Sequence, residues 1–140
     1  MATRSTIAIE NPDGTVYQIY CHYDGYLSHV GRILFENYST TDAMKELLCL
    51  GDLSVLGERV DPDLDEDHSF AKPAKGVCIA YGRDRGEADT LAREYTDFGM
   101  YTTFGDFEEY NYIRRNDGKL YLIHNSMPTL VKLLTADNFL

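Results

Sequence analysis

"STIAIENPDGTVYQIYCH", residues 5–22, has the pattern of two strands joined by a tight turn. Ile7 and Ile9 alternate with other side chains, and residues 15–22 are rich in the β-branched and aromatic side chains that favour strands. Between these runs, Pro12 fixes φ, and the Asp-Gly pair that follows it tolerates left-handed backbone. The stretch therefore predicts a β-hairpin.

A second hairpin is predicted nearer the C-terminal end of the chain. Its strands cover residues 109–115 and 119–124, and the Asn-Asp-Gly sequence at 116–118 suits a tight turn. In each hairpin the turn signal lies directly between two strand-like runs. The two hairpins are therefore expected to supply most of an antiparallel sheet.

Two short helices are predicted between the hairpins. Apolar residues three and four positions apart indicate the first helix over residues 27–38. The second covers "TTDAMKELLCLG", with Thr41 or Asp42 as its N-terminal cap and Gly51 at its end. Both helices are expected to pack on the sheet.

The remaining segments have weaker patterns. Residues 51–76 are expected to form a long surface loop, which is strongly acidic at about 57–75. Residues 77–81 predict a short strand, and "ADTLAREY", residues 88–95, is compatible with one or two helical turns. The last segment, "MPTLVKLLTADNFL", has helical spacing at three leucines: Leu130, Leu133 and Leu134.

Together these elements predict the fold class and the domain organisation. Their order favours an α+β fold, with a mostly antiparallel sheet built from two hairpins and two short helices packed on it. The 140 residues suffice for a single compact domain, 1–140. No apolar run is long enough for a membrane span or resembles a signal peptide, so no membrane association is expected.

Composition limits the classes of partner. Thirteen Lys and Arg against twenty-three Asp and Glu give a formal net charge of −10, which opposes non-specific binding to nucleic acid. The three cysteines include no Cys-x-x-Cys pair, so the sequence predicts neither a disulfide framework nor a common zinc site. A reducing, cytoplasmic compartment is expected, and no cofactor is assigned.

The stretch "YCHYDGYLSHVGRIL", residues 20–34, places several polar side chains where a strand gives way to a helix. Its candidate ligand-binding residues are His22, Tyr23, Asp24 and Arg32. The alternative is purely structural, with the Asp-Gly pair turning the chain. His22, Asp24 and His29 also offer the ligand types of a metal site, but their spacing matches no metal motif and no metal ligand is assigned.

Two further segments concentrate arginine in this acidic chain. "YGRDRGE", residues 81–87, contributes Arg83 and Arg85, and "EEYNYIRRN" places Tyr112 and Arg114 on one face of a predicted strand. Arginine can bind phosphate through two parallel hydrogen bonds, and tyrosine can stack on a base, so these residues are candidate nucleotide contacts. The structural alternatives are a surface turn whose arginines pair with nearby acids, and a solvent-facing ladder of side chains.

The acidic loop supplies candidates for a different kind of partner. Its carboxylates are Asp61, Asp63, Asp65, Glu66 and Asp67. Spaced carboxylates can imitate the phosphates of DNA and occupy a basic groove on a protein. The alternative is a solvated surface run, which is the usual role of such a sequence.

Several motifs resemble those of a family of small accessory proteins from tailed bacteriophages. They are "TRSTIAIEN" at residues 3–11, "DGTV" at 13–16, "YCHYDGYL" at 20–27, "GDLSVLG" at 51–57, "YGRDRGE" at 81–87 and "EEYNY" at 108–112. The resemblance spans most of the chain and implies an accessory protein that acts in the cytoplasm of an infected bacterium. The family brings no established enzymatic activity, and phage proteins of this size are often counter-defence proteins.

The leading functional prediction is a phage counter-defence protein that binds and sequesters a small nucleotide immune signal. Its pocket is expected to use the candidate ligand-binding residues given above, with a homo-oligomer interface as one place for it. The first alternative is an acidic interaction protein, a DNA mimic, that inhibits a host nucleic-acid-binding or defence protein. The second is a nucleotide hydrolase that uses His22, Asp24 and His29, although no catalytic residue is assigned.

Overall fold

The computed structural model describes residues 3–127 and 130–139, and within them eight strands form one mixed sheet. The strands are β1 (Ser5–Glu10), β2 (Val16–Tyr23), β3 (Leu53–Val55), β4 (Ile79–Ala80), β5 (Arg93–Tyr95), β6 (Tyr110–Arg114), β7 (Leu120–His124) and β8 (Val131–Leu133). Their order is β4-β3-β2-β1-β6-β7-β8, and β5 also pairs with β2. The described residues leave out 1–2, 128–129 and 140. All of these belong to the predicted domain, and 128–129 and 140 also belong to the predicted C-terminal helical segment.

Short helices complete this part of the chain. They are α1 (Arg32–Asn37), α2 (Thr41–Leu48), α3 (Tyr81–Arg85) and α4 (Phe98–Phe104), with a π-helical turn at Leu27–Gly31 and a 3-10 turn at Ala136–Phe139. All eight strands belong to one sheet and the helices lie between them along the chain, so the predicted α+β single domain is confirmed. No helix in the described residues has the length and apolar character needed to cross a membrane.

Both predicted hairpins are confirmed. β1 and β2 pair antiparallel with Ile7 opposite Ile19, and Gly14 occupies the turn with a φ of +92°. β6 and β7 pair antiparallel with Tyr112 opposite Leu122. The hairpins are joined through β1 and β6, which run parallel, as do β2 and β3. The sheet is therefore mostly, but not wholly, antiparallel.

The centre of the sheet is buried on both faces, and its two faces have different cores. The face beneath α1 and α2, here called the helix face, includes buried residues of β1 and β2: Ile7, Ile9, Ile19 and Cys21. The opposite face has a smaller cluster: Ala8, Val16, Tyr101, Ile113 and Ile123. Because successive side chains of a strand point to opposite faces, all six residues of the central strand β1 are buried.

The predicted helix over residues 27–38 begins as the π-helical turn and continues as α1. Gly31 lies where the two join, packed on the ring of Tyr112 in β6, and a Cβ there would lie 3.1 Å from Tyr112 Cε1. The carbonyl of Gly25 accepts a 2.7 Å hydrogen bond from the Tyr112 hydroxyl. Glycine at these positions lets the chain pass close over the sheet.

The second predicted helix is confirmed as α2, with one correction at its start. Its cap is Thr40, one residue before the predicted positions, because the Thr40 side chain accepts a 3.1 Å hydrogen bond from the Ala43 N–H. The helix ends at Leu48, three residues before the predicted Gly51, which lies in the following turn with a φ of +76° that favours glycine.

The segment predicted as a loop over residues 51–76 contains the strand β3. Leu53 of this strand is fully buried and pairs with Cys21 of β2. The strand predicted over residues 77–81 is reduced to β4, after which the chain turns directly into α3. The acidic part, residues 57–75, is irregular apart from one isolated bridge.

The helical turns predicted over residues 88–95 and at the C-terminal leucines are wrong. Part of the first segment forms β5, which pairs with the start of β2, and α4 follows it. Part of the second forms β8, which pairs with β7. In both cases hydrogen bonds to a partner strand outweigh a short helical pattern in the local sequence.

Candidate ligand-binding site around Arg114

The candidate site centres on Arg114, the last residue of β6, whose side chain lies on the helix face and which is 4% exposed. Its guanidinium donates hydrogen bonds to two backbone carbonyl oxygens, at 2.7 Å to Gly118 and 2.8 Å to Tyr38. Its Nε–H donates to the sulfur of Met44 in α2, at 3.0 Å. These contacts connect the β6–β7 turn with both helices above the sheet.

Arg114 is a buried positive charge without a counter-charge. Its three partners are neutral, and no carboxylate in residues 3–127 or 130–139 forms an ion pair with it. Burial lowers the pKa of Arg114, but a guanidinium remains protonated in a protein. Three of its five N–H groups donate to these partners, which leaves two. An anion beside them would compensate a charge that is costly to bury alone.

Arg114 lines a cavity of about 520 Å³. A second cation, Lys119, lines the same cavity, as do Ser39 and Thr135. Most of the remaining wall is apolar and includes Phe35 of α1. Within the described residues the lining contains no carboxylate, so the cavity is locally positive in a chain whose net charge is −10.

Asp117, which lies between the two cations in the sequence, is engaged elsewhere. Its carboxylate accepts hydrogen bonds of 2.6 Å from the Tyr121 hydroxyl and 2.9 Å from the Lys119 backbone N–H. These bonds, that from Tyr121 foremost, hold the pKa of Asp117 below its ordinary value. Tyr121 pairs with Ile113 and packs with it on the opposite face of the sheet, so Asp117 is not part of the cavity lining.

A stacking role for Tyr112 requires an exposed ring, and the structure buries this ring completely. Tyr112 lies beneath Gly31, and its hydroxyl donates to the carbonyl of Gly25. The sequence correctly predicts that Tyr112 and Arg114 share a face, but helices cover that face. Tyr112 is therefore a core residue, which corrects its predicted role, and a solvent-facing ladder is wrong for the same reason.

Arg83 and Arg85 lie on α3, and neither lines the cavity of Arg114. Arg83 donates to the carboxylates of Asp84 and Asp61, at 2.9 and 3.1 Å, and to two backbone carbonyls. Arg85 donates to Glu87 at 2.7 Å. These contacts match the structural alternative for this segment, a turn whose arginines pair with nearby acids.

His22, Asp24 and His29 do not form a metal site. The Nδ1 of His22 lies 2.6 Å from the Tyr20 hydroxyl, whereas the Nδ1 of His29 lies 2.9 Å from the backbone carbonyl oxygen of Asp24. Across the described ranges, no group of three or more His, Cys, Asp or Glu residues is placed to hold a metal ion. Tyr23, at the end of β2, is 44% exposed and accessible to a ligand or partner.

Arg32 positions a wall of the cavity. Its Nη2 donates a 2.6 Å hydrogen bond to the carbonyl of Phe139, and its guanidinium carbon lies 5.6 Å from the centroid of that ring. Phe139 ends the 3-10 turn that begins at Ala136, and Ala136 lines the cavity. Arg32 therefore fastens the C-terminal turn to α1, whereas the sequence predicts a direct ligand contact for it.

Arginines order the acidic loop. Arg59 lies 3.1 Å from a carboxylate oxygen of Glu66 and 3.6 Å from one of Asp63, and Arg83 lies 3.1 Å from one of Asp61. The hydrogen bond from Arg59 is the main cause that holds the pKa of Glu66 below its ordinary value. Of the five candidate carboxylates, Asp65 and Asp67 are exposed and form no ion pair within the described chain.

Sequence reasoning missed most of the cavity lining. Lys119, Ser39 and Thr135 come from three separate segments, and only the fold brings them to Arg114. The one local signal is a pair of cations, Arg114 and Lys119, on either side of a tight hairpin turn. Residue type alone cannot distinguish such a pair from ordinary surface charges.

Comparison with known proteins gives no assignment. No protein-family model, curated protein or solved structure matches the chain. The resemblance to phage accessory proteins therefore rests on the quoted motifs alone, and the chemistry of the site rests on the geometry around Arg114.

Proposed function

We propose that the protein binds and sequesters a small nucleotide, whose phosphate group lies between Arg114 and Lys119. The observation that carries this proposal is the buried guanidinium of Arg114, which has only neutral partners and lines a cavity without carboxylates among the described residues. An anion there would supply the missing counter-charge and accept hydrogen bonds from the remaining N–H groups. Lys119 is exposed and adds a second positive charge.

The rest of the cavity suits the neutral parts of a nucleotide. Phe35 offers an aromatic surface to a base, and the hydroxyls of Ser39 and Thr135 can bind a sugar. The volume of about 520 Å³ is in the range of small-molecule sites. A nucleotide with few phosphates is favoured over a polyphosphate, because only two cations line the cavity among the described residues and the chain is strongly negative.

Binding without turnover is the favoured mode of action. Among the described residues, the lining has no histidine, cysteine or carboxylate that could act as a general base. A protein that holds a nucleotide without consuming it lowers the free concentration of that nucleotide. Together with the motifs shared with phage accessory proteins, this supports a counter-defence role in the bacterial cytoplasm, in which an immune signal is withheld from its receptor.

The test is the melting temperature of the protein with cyclic dinucleotides, ADP-ribose derivatives, nucleoside monophosphates and the matching nucleosides. A ligand at about 100 times its Kd adds about 2.7 kcal/mol to the free energy of unfolding, which appears as a shift of several degrees. We expect a phosphate-bearing compound to give such a shift and its nucleoside to give none. A panel in which no phosphate-bearing compound raises the melting temperature would overturn the proposal.

Two lysine variants locate the site. Lys119→Gln removes the exposed cation of the cavity and is expected to weaken binding about tenfold, since about 1.4 kcal/mol corresponds to that factor. Lys132→Gln removes the same charge from an exposed position on β8 outside the lining and should bind like the wild type. Equal weakening in both variants would indicate a general charge effect and contradict the assignment to this cavity.

A second candidate function is an acidic interaction protein, and the order within the acidic loop favours it. Arg59 and Arg83 anchor the loop through Glu66 and Asp61, while Asp65 and Asp67 stay exposed. Fixed carboxylates suit a basic groove better than carboxylates on a loose chain, because less conformational entropy is lost on binding.

This candidate is tested by neutralising the exposed carboxylates and keeping the anchors. We expect the wild type to capture a DNA-binding protein from bacterial lysate, and added DNA to compete with this capture. The double variant Asp65→Asn, Asp67→Asn should fail to capture that protein. A variant that retains full capture would exclude the mimic. The nucleotide experiments are unaffected by this variant, so the two functions can be separated.

A further inference from the structure

A second cavity, of about 370 Å³, lies on the opposite face of the sheet. It is lined by Gln18 and Tyr20 of β2, Arg93 of β5, Asp52, and the polar segment at residues 106–108. The Arg114 cavity is mostly apolar and positive, whereas this one is mostly polar and its charged groups are mainly acidic. None of the sequence predictions concerns it.

One buried polar group in this cavity lacks a partner. Gln18 is 1% exposed, and its carboxamide oxygen accepts a 3.0 Å hydrogen bond from the Tyr95 hydroxyl. Its Nε2 is buried and has no hydrogen-bond partner among the described residues. An unpaired buried donor is destabilising, and native proteins contain few of them. A ligand with an oxygen acceptor would remove this cost.

The charges of the cavity favour a cation. Asp52 is neutralised by Arg93, which donates to both carboxylate oxygens, and it also accepts a 2.9 Å hydrogen bond from the Tyr20 N–H. Asp106 and Glu108 line the same cavity, and within the described chain neither carboxylate has an ion pair. Three carboxylates and one guanidinium therefore line this cavity, which leaves it with an excess of negative charge beside the unpaired donor.

We propose that this cavity binds a small compound with an ammonium group and, a few bonds away, a carbonyl oxygen, as in an amino acid amide. The ammonium group lies against Asp106 and Glu108, and the oxygen accepts a hydrogen bond from Gln18 Nε2. An anion is disfavoured by the carboxylates, and a simple amine leaves Gln18 unpaired. The site is independent of the proposed nucleotide site, because it lies on the other face and has the opposite charge.

The sequence provides a selective reporter for this site. Gln18 is the only glutamine in the chain, so ¹⁵N in the glutamine side chain reports on this Nε2 alone. The probes are L-alaninamide, with both features, ethylammonium, with only the cation, and N-methylacetamide, with only the acceptor. We expect L-alaninamide to shift the Gln18 amide resonances saturably and to bind roughly tenfold more tightly than either single-feature probe.

Matched variants test the contribution of charge. Asp106→Asn with Glu108→Gln should abolish the response to L-alaninamide, whereas Glu109→Gln, at an exposed neighbour outside the lining, should keep it. No shift of the wild-type Gln18 resonances with L-alaninamide would overturn the proposal, because the amide would then be inaccessible or satisfied by water. An equal response to N-methylacetamide would overturn it too, since the ammonium group would then contribute nothing.

Discussion

Arg83 and Arg114 are arginines of one chain in opposite electrostatic surroundings. Arg83 contacts the carboxylates of Asp84 and Asp61 and fastens the acidic loop to α3, whereas Arg114 has three neutral partners beneath α1 and α2. Burial acts to lower the pKa of each, but for Arg83 the hydrogen bond and charge of Asp84 outweigh it and raise the pKa. Our proposed nucleotide site therefore lies at the arginine that lacks a counter-charge, and not in the segment where two arginines are close together in the sequence.

Truncating Arg114 is expected to have the largest effect on stability. Arg114→Ala leaves the carbonyl oxygens of Tyr38 and Gly118 without this donor and creates a void beside Met44. We expect the free energy of unfolding, measured by urea denaturation, to fall by about 3 kcal/mol. The control Lys132→Ala removes an exposed charge and should stay within about 0.5 kcal/mol of the wild type. If Arg114→Ala were equally mild, the buried guanidinium would have no structural role.

Truncating Arg83 should cost less and act more locally. Arg83→Ala removes the ion pair of Asp84, whose side chain is only 5% exposed, and releases Asp61 in the loop. We expect a loss of about 2 kcal/mol. Thermolysin should also cleave faster at Leu64, which is fully exposed in the same loop. Lys72→Ala, also in this loop, should change neither quantity, and unchanged cleavage in Arg83→Ala would show that Arg83 does not anchor the loop.

The surroundings of Arg83 and Arg114 should also differ in how their contribution to stability changes with pH. Burial acts to raise the pKa of Asp84, but hydrogen bonds from Arg83 and the Ala80 N–H outweigh it and hold this pKa below 3.8. The folded pKa is thus below the unfolded one, so Asp84 contributes stability above pH 3.8 that is lost as the pH falls through the folded pKa. The difference in free energy of unfolding between the wild type and Asp84→Asn should therefore shrink between pH about 6 and about 2.

The matching difference for Arg114→Ala should stay constant over this range, because the carbonyl and thioether partners of Arg114 do not titrate. Urea denaturation of the three proteins across the pH series measures both differences. If the difference for Arg114→Ala shrank with falling pH as much as that for Asp84→Asn, Arg114 would interact with a carboxylate in the folded protein. The proposed difference between the surroundings of Arg83 and Arg114 would then be wrong.

The sequence predicts those parts of the fold whose signals are local. Both hairpins and α2 follow from turn residues and periodicities that lie within a few residues of one another. Strands β3, β5 and β8 escape prediction because each has three residues and becomes a strand by pairing with β2 or β7. Alternation in β6 likewise predicts that Tyr112 and Arg114 share a face, but not that helices cover it.

The candidate site is predictable only in part. Arg114 is recognisable as a candidate phosphate contact from its residue type, but its missing counter-charge is not. Asp117 lies three residues away and would be an obvious partner, yet its hydrogen bond to Tyr121 engages it away from the cavity. Gln18 gives no local signal at all, since its unpaired donor results from packing. Burial and charge balance are properties of the fold and have no counterpart in a short stretch of sequence.

The smallest effect on the free energy of unfolding is expected from substitution of Arg85, which has both a counter-charge and access to water. Its guanidinium carbon lies 4.5 Å from the centroid of the Phe70 ring and 5.0 Å from that of Tyr81, and it pairs with Glu87, but half of its side chain is exposed. Solvent screens these contacts, so Arg85→Gln should lower the free energy of unfolding in urea by only about 0.5 kcal/mol. A loss as large as that of Arg83→Ala would contradict the ranking, because exposure would then not separate these two neighbouring arginines.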